Sequence, residues 1–342
     1  MNRMLFRYKS RIRNTIYHIK VANWKTIYRY NRMLTGRKYM LPYWKLICCS
    51  WQHGVSFENF YELHFYQKTK QERKQYITAS LRHELTRQVN ENDEVHILKN
   101  KAHFANKFHD LLGRKIYFYY DLESHERNSP PPKLVVKNIY GQAGQGVFFL
   151  ELFDTYEHLL SYIARNFPNT DEYIFEEFIL QHRKLKNLNP SSVNTLRIVT
   201  FYDDKTNSVD VWGCYLRMGV DAKTDNLATG GIAAAVSEDG TVKTPAVAKD
   251  PFLNSFSYHP VTKEQIVGFE VPFYKEAINL VVEASKRVPR VRSIGWDVAI
   301  TDNGPCLIEG NDNWGMTLFQ IPCGYGLRSL ANRVCDMKIV YD

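Results

Sequence analysis

The stretch GWDVAITDNGPCLIEGN, residues 295–311, leaves little choice of local structure. Two apolar runs flank Asp302, Asn303 and Gly304, a favoured turn signal, so the segment predicts an antiparallel hairpin. In such a hairpin Asp297 and Glu309 fall near one another across the ladder, and Asn311 shares the face of Glu309. Three side-chain oxygens therefore converge where a core strand would carry Val or Ile. Two neighbouring carboxylates repel and raise each other's pKa unless a cation lies between them. Hard oxygen donors in that number suit Mg2+, which keeps waters and takes further ligands from nucleotide phosphates. A polar hairpin end that caps itself explains each residue singly, but not the triple.

A magnesium-nucleotide site also needs donors for phosphate, and the upstream sequence supplies candidates. KLVVKNIYGQAGQGVFFLEL, residues 133–152, reads as strand, glycine loop and strand, with Gly141, Gly144 and Gly146 in the loop. No helix follows the glycines and no Gly-Lys-Ser/Thr is present, which excludes the dinucleotide and P-loop fingerprints. The glycines would let backbone N–H groups approach phosphate oxygens, with Lys137 adding a point charge, although most glycine hairpins are only hairpins. EYIFEEFIL, residues 172–180, sets Glu176 and Glu177 in an apolar run. It reads either as an edge strand with two solvated glutamates or as a hinge whose backbone pairs with an adenine edge. Residues 189–204 and 209–220 read as neighbouring antiparallel strands that carry Arg197 and Arg217. A buried arginine needs an anion: a protein carboxylate, a substrate carboxylate or a phosphoryl group. DNLATGGIAAAV adds a small-residue loop, Asn226 to Gly231, able to approach an anion closely or to serve as an ordinary turn.

The remainder of the chain bears on architecture and location. Its 342 residues, 44% hydrophobic, suffice for two or three lobes. No apolar run reaches the ~20 residues of a membrane span and no secretory h-region begins the sequence, which predicts a cytoplasmic protein. Six cysteines without C-x-x-C spacing argue against a disulfide framework and a structural zinc. The net charge of +9 has one source: residues 1–50 hold twelve of the 45 Lys and Arg and no acid, leaving 33 basic against 36 acidic residues elsewhere. Leu5, Ile12, Ile16, Ile19, Trp24 and Ile27 recur among these cations at near-helical intervals. This pattern suits a basic amphipathic helix on an anionic membrane surface, or equally a solvated helix pair packed on the body. Nucleic acid ranks lowest, because no binding motif for it follows. Residues from Phe57 to about Asn90 read as helical. After them come a short strand or turn, a helix from about Ala102 to Leu112 ended by Gly113, and a strand. The proline-rich segment 125–133 is a linker.

The order lysine, glycine flap, EEFI, arginine, NLATGG, aspartate and E-G-N resembles the ATP-grasp superfamily of carboxylate-amine ligases. More narrowly, QHRKLKNLNPSSVNTLRIVT with GWDVAITDNGPCLIEGN is similar to the sugar-transfer-associated ATP-grasp family, related to teichuronopeptide-type proteins of surface-polysaccharide gene clusters. The resemblance covers roughly residues 56–325 and implies an α+β ATP-grasp fold whose two lobes grip ATP. With the basic segment read above, the chain divides into a basic helical segment (1–55), a helical region (56–95), an N-terminal lobe with the flap (96–175) and a C-terminal lobe with the metal site (176–342). It implies Lys107 and Lys137 as phosphate lysines, Gly141, Gly144 and Gly146 as the flap, and Glu176, Phe178 and Ile179 as the adenine hinge. Asp297, Glu309 and Asn311 would hold magnesium, as a pair of ions, and Arg197, Arg217 and Asn226 would be catalytic. Two positions depart from relatives: His182-Arg183 stands where many place an acid on the ribose, and Asp225 where glutathione-synthetase-like relatives carry a substrate arginine. The implied reaction joins a sugar acid or amino acid to an amine through an acyl phosphate. A phosphotransferase that uses no amine, or a non-catalytic nucleotide-binding partner of a glycan-assembly complex, are the rival readings.

Overall fold

The structure, a computed structural model, describes residues 3–36, 43–90, 92–124, 129–141, 146–151, 153–221 and 224–334. It opens with three helices, α1 (Arg3–Val21), α2 (Trp24–Thr35) and α3 (Tyr43–His53). Asn23 starts the second, its side chain accepting from the Thr26 N–H as an N-cap does. The helical text beyond Phe57 divides into α4 (Phe57–Glu62), α5 (Lys70–Arg73) and α6 (Ala79–Val89). Ser56 caps the first of these, and Thr69 forms a capping box with Glu72 on the next. Ile27, Tyr30, Leu46, Phe57, Phe60 and Tyr61 join α2, α3 and α4 in one largely aromatic core.

Where a short strand or turn was expected near Val95, the chain forms α7 (Asn92–Lys99), followed by α8 (Lys101–Lys107). Asp93 and Glu94 in the first turn favour the helix N-terminus, while Val95 and Leu98 find apolar partners on the sheet described below. Gly113 ends this region with φ at +60°, and a Cβ there would lie 2.5 Å from the Cys306 sulfur. The smaller lobe follows: β1 (Ile116–Tyr117), α9 (Tyr119–Ser124), β2 (Lys133–Asn138), β3 (Val147–Glu151), α10 (Tyr156–Asn166) and β4 (Tyr173–Glu177). Its antiparallel sheet has the order β1-β4-β2-β3. Leu134, Val136, Leu150 and Phe175 bury one face on Leu159 and Ile163 of α10. Strand alternation then turns Lys137, Phe149, Ile174 and Glu176 to the opposite face.

The larger lobe contains α11 (Arg183–Leu188), β5 (Thr195–Asp203), β6 (Ser208–Met218), β7 (Ile232–Val236), β8 (Val247–Ala248), α12 (Tyr274–Lys286), β9 (Ser293–Thr301), β10 (Gly304–Asn311), α13 (Met316–Cys323) and α14 (Arg328–Val334). Its six strands run antiparallel in the order β10-β9-β5-β6-β7-β8. Leu196, Ile198, Leu216, Trp296 and Val298 pack on α12, α7 and α8. Val199, Phe201, Trp212 and Tyr215 pack on α6, α13 and α14. Both faces are covered, so the strands read as nearly continuous apolar runs, and the charged side chains buried among them, Arg197 and Asp297, stand at the end that opens on a cavity. Val95, Leu98, Phe104, Phe108 and Leu112 pack into the core of the larger sheet, and β4 continues through Glu177.

Candidate active site

Register builds the site. Across three neighbouring strands Arg197 on β5 lies opposite Asp297 on β9, which lies opposite Glu309 on β10, where a bulge between Leu307 and Glu309 sets the pairing. Arg197 Nε and Nη2 both donate to the Asp297 carboxylate, the second at 2.9 Å, and Arg217 Nη1 approaches it at 3.3 Å. Arg217 is held from its other side by Asp225, Nη2 to Oδ1 at 3.0 Å. Asp225 in turn accepts from the Thr195 N–H at 3.0 Å and from its hydroxyl. Burial would push the Asp297 carboxyl up, but the two guanidinium groups override it and hold it at about 2. The Glu309 carboxyl, open to the cavity, moves the other way, raised by desolvation in the cleft and by Asp297 beside it.

The smaller sheet closes the opposite wall of the same cavity, which measures about 1170 Å³. Glu176, buried there, accepts from Lys137 at 2.8 Å and from Arg114 Nε at 2.9 Å. Burial alone would raise its carboxyl, and these cations hold it at about 2 instead. Lys101, the first residue of α8, reaches the Gly141 carbonyl; its ammonium is lowered chiefly by burial, against Glu309 and Glu176 nearby. Val147, Phe149, Ile174 and Phe178 give this wall an apolar part, with the Lys133 ammonium 4.1 Å from the Phe178 ring centre.

Whether these residues suit magnesium follows from the donor set. Among the described residues no three His, Cys, Asp or Glu side chains cluster as metal ligands. Two carboxylates and the amide of Asn311, whose Nδ2 lies 3.2 Å from Glu309 Oε1, give the hard-oxygen set that a partly hydrated Mg2+ prefers. The raised Glu309 carboxyl beside Asp297 is the repulsion that such a cation relieves. The residues therefore fit. Both Asp297 oxygens are shared with arginines, which leaves Glu309 the more open ligand.

The cavity gathers Lys137, Gly141, Glu176, Phe178, Arg197, Arg217, Asn226, Asp297, Glu309 and Asn311, of the positions expected from sequence. Lys107 is exposed at the end of α8 and does not line it; Lys101, at the start of the same helix, does. Gly146 closes the β2–β3 hairpin at φ +70°, and Ile179 is half-buried, both outside the lining; Gly144 lies outside the described residues. The Glu176 side chain serves as a clamp for two cations, and the Glu177 and Phe178 N–H groups already donate to the Lys115 and Lys133 carbonyls. His182 caps α11, accepting from the Lys184 N–H, and lies outside the lining. Sequence reasoning missed Lys101, Arg114 and the clamp at Asp225. A signal for the first existed, since Asn100 caps α8 by accepting from the Ala102 and His103 N–H groups and so fixes where the helix starts.

A model of the sugar-transfer associated ATP-grasp family matches residues 80–336. No curated protein matches the chain in sequence. Among solved structures it is similar to the ATP-grasp ligase PsnB complexed with minimal precursor, at 14% identity and a TM-score of 0.41, over 72% of this chain and 62% of that one. The N5-carboxyaminoimidazole ribonucleotide synthetase from Thermotoga maritima gives 14% identity and a TM-score of 0.37, over 64% of this chain and 42% of that one. The D-alanine–D-alanine ligase from Bacillus anthracis gives 13% and 0.38, over 74% and 76%. The chain thus spans less than two thirds of the length of the synthetase and of PsnB. Since the family model covers well over half of the sequence, the chain belongs to the sugar-transfer associated ATP-grasp family.

Proposed function

We propose that the protein is an ATP-dependent carboxylate-amine ligase working through an acyl phosphate. One observation carries the reading: Lys101 and Lys137 line the same cavity as Arg197, Arg217 and Glu309, a charge set that suits a triphosphate beside a carboxylate. Magnesium, as a pair of ions held by Glu309 and Asn311 with Asp297, would supply charge neutralisation on the phosphates when bound. Lys101 and Lys137 bind the polyphosphate, and the apolar wall at Phe149, Ile174 and Phe178 covers the base. Arg197 and Arg217 are fixed by carboxylates before substrate arrives, so they stabilise developing charge without reorganising. The Asn226 loop approaches the acceptor end of the cavity. A substrate carboxylate attacks the terminal phosphoryl group and ADP leaves. An amine then displaces phosphate from the acyl phosphate to form an amide. No protein nucleophile is required, in keeping with the Cys214 and Cys306 thiols, both pushed up by burial.

The substrate class we propose is a sugar acid or an amino acid used in surface-polysaccharide biosynthesis, a reading supported by the sugar-transfer association of the family. An ADP-release screen that crosses sugar acids with amino acids tests it. ADP and inorganic phosphate should appear together only when acid and amine are both supplied, and Glu309→Gln should lower the rate about 100-fold. Phosphate release that needs no amine, or a rate unchanged in the variant, refutes the proposal.

A further inference from the structure

Helix α1 is turned inside out. Ser10, Thr15 and His18 are buried on its inner side, and His18 Nδ1 shares a 2.8 Å hydrogen bond with Ser50 of α3. Leu5, Tyr8, Ile12, Ile16 and Ile19 recur every three or four residues, which sets them along one stripe on the outer side, with Tyr8 at its edge against the Trp51 ring of α3. That stripe is 37 to 56% exposed. A helix packed on a protein body normally does the reverse, because turning the apolar side outward forfeits the main gain of packing. Lys9, Arg13 and Lys20, all exposed, border the stripe. The neighbouring helices expose aromatic side chains as well: Trp24 and Tyr28 of α2 and Trp44 of α3 are 43, 50 and 59% exposed.

We infer that this face docks the protein on an anionic lipid surface. Charge decides between occupants. With twelve cations and no acid in residues 1–50, a second copy would set like charge against like. A bilayer of anionic lipid offers phosphate to the cations and an acyl boundary to the isoleucines, and it favours Trp and Tyr at headgroup depth. Docking is peripheral: among the described residues no helix is long and apolar enough to cross a membrane. The ligase site lies on other elements, so docking and catalysis separate experimentally.

Co-sedimentation of the full chain with phosphatidylcholine vesicles, with and without phosphatidylglycerol, tests the inference. The protein should pellet with the anionic vesicles alone, and less so as salt rises. Ile12→Ser with Ile16→Ser should weaken partitioning at least about tenfold. Each of Lys9→Gln, Arg13→Gln and Lys20→Gln should weaken it roughly fivefold. Far-UV circular dichroism and nucleotide binding in solution should be unchanged in all of them. Equal pelleting with neutral vesicles, no pelleting at all, or a lipid-free dimer that the isoleucine substitutions dissolve would overturn it.

Discussion

Glu176 shows how a single carboxylate can order one wall of the cavity. It is buried between Arg114 and Lys137, and those cations keep it ionised with its carboxyl at about 2. A carboxyl depressed on folding adds stability that is present above its unfolded value, near 4.5, and lost as pH falls toward 2. Glu176→Gln should therefore cost about 3 kcal/mol near neutral pH, and the gap should close as pH falls from about 4.5. Urea denaturation of both proteins across that range measures it; a pH-independent gap would contradict the assignment. The lysines make a second contrast. Lys101→Ala should weaken Mg-ATP binding about ten- to 100-fold, the worth of a charged hydrogen bond, whereas Lys107→Ala should stay within about twofold. Calorimetric titration decides, and equal losses would place the phosphates elsewhere.

The β9–β10 hairpin concentrates the chemistry, and its glycines hold it in place. A Cβ on Gly295 would lie 2.5 Å from the Cβ of Trp314 and 3.3 Å from the Cδ of Arg197, so Gly295→Ala must move backbone-proximal atoms of a buried tryptophan. The substitution should cost about 1 to 3 kcal/mol in urea denaturation and should also weaken nucleotide binding by displacing Arg197. Stability at the wild-type value would mean that the strand relaxes freely. This hairpin was legible in the sequence because turn chemistry and the short apolar runs on either side of it are local signals. The partner of Asp297 was not. Arg197 stands 100 residues away, and only the β5–β9 register, a tertiary property, makes the two neighbours. Helix α7 was missed because Val95 and Leu98 are too few apolar residues to declare a period until the sheet beneath them is known. The periodicity of α1 could be read, but which side faces the body could not, since that depends on where α3 presents Ser50.

At the scale of the molecule, Arg114 spans the two sheets. Its Nε donates to Glu176 on the smaller sheet, while Nη1 donates to the Leu307 carbonyl at 2.8 Å on the larger. The Lys101 N–H adds a bond to the Ile139 carbonyl at 3.0 Å, tying α8 to the loop after β2. Since each lobe has its own core, their relative position rests on such links and on whatever fills the cavity. Arg114→Ala removes the guanidinium fork but leaves Glu176 its bond to Lys137, so the smaller lobe should stay folded. The lobes should then separate more readily: small-angle scattering should give a larger radius of gyration without nucleotide, and saturating Mg-ATP should shrink the difference. Closing the looser molecule draws on binding energy, so nucleotide affinity should fall about tenfold. Arg114→Lys, which keeps the charge but not the fork, should fall between the two. If scattering and affinity both match the parent protein, Arg114 acts within one lobe only, and the clamp between the sheets must be sought in the α8 contact.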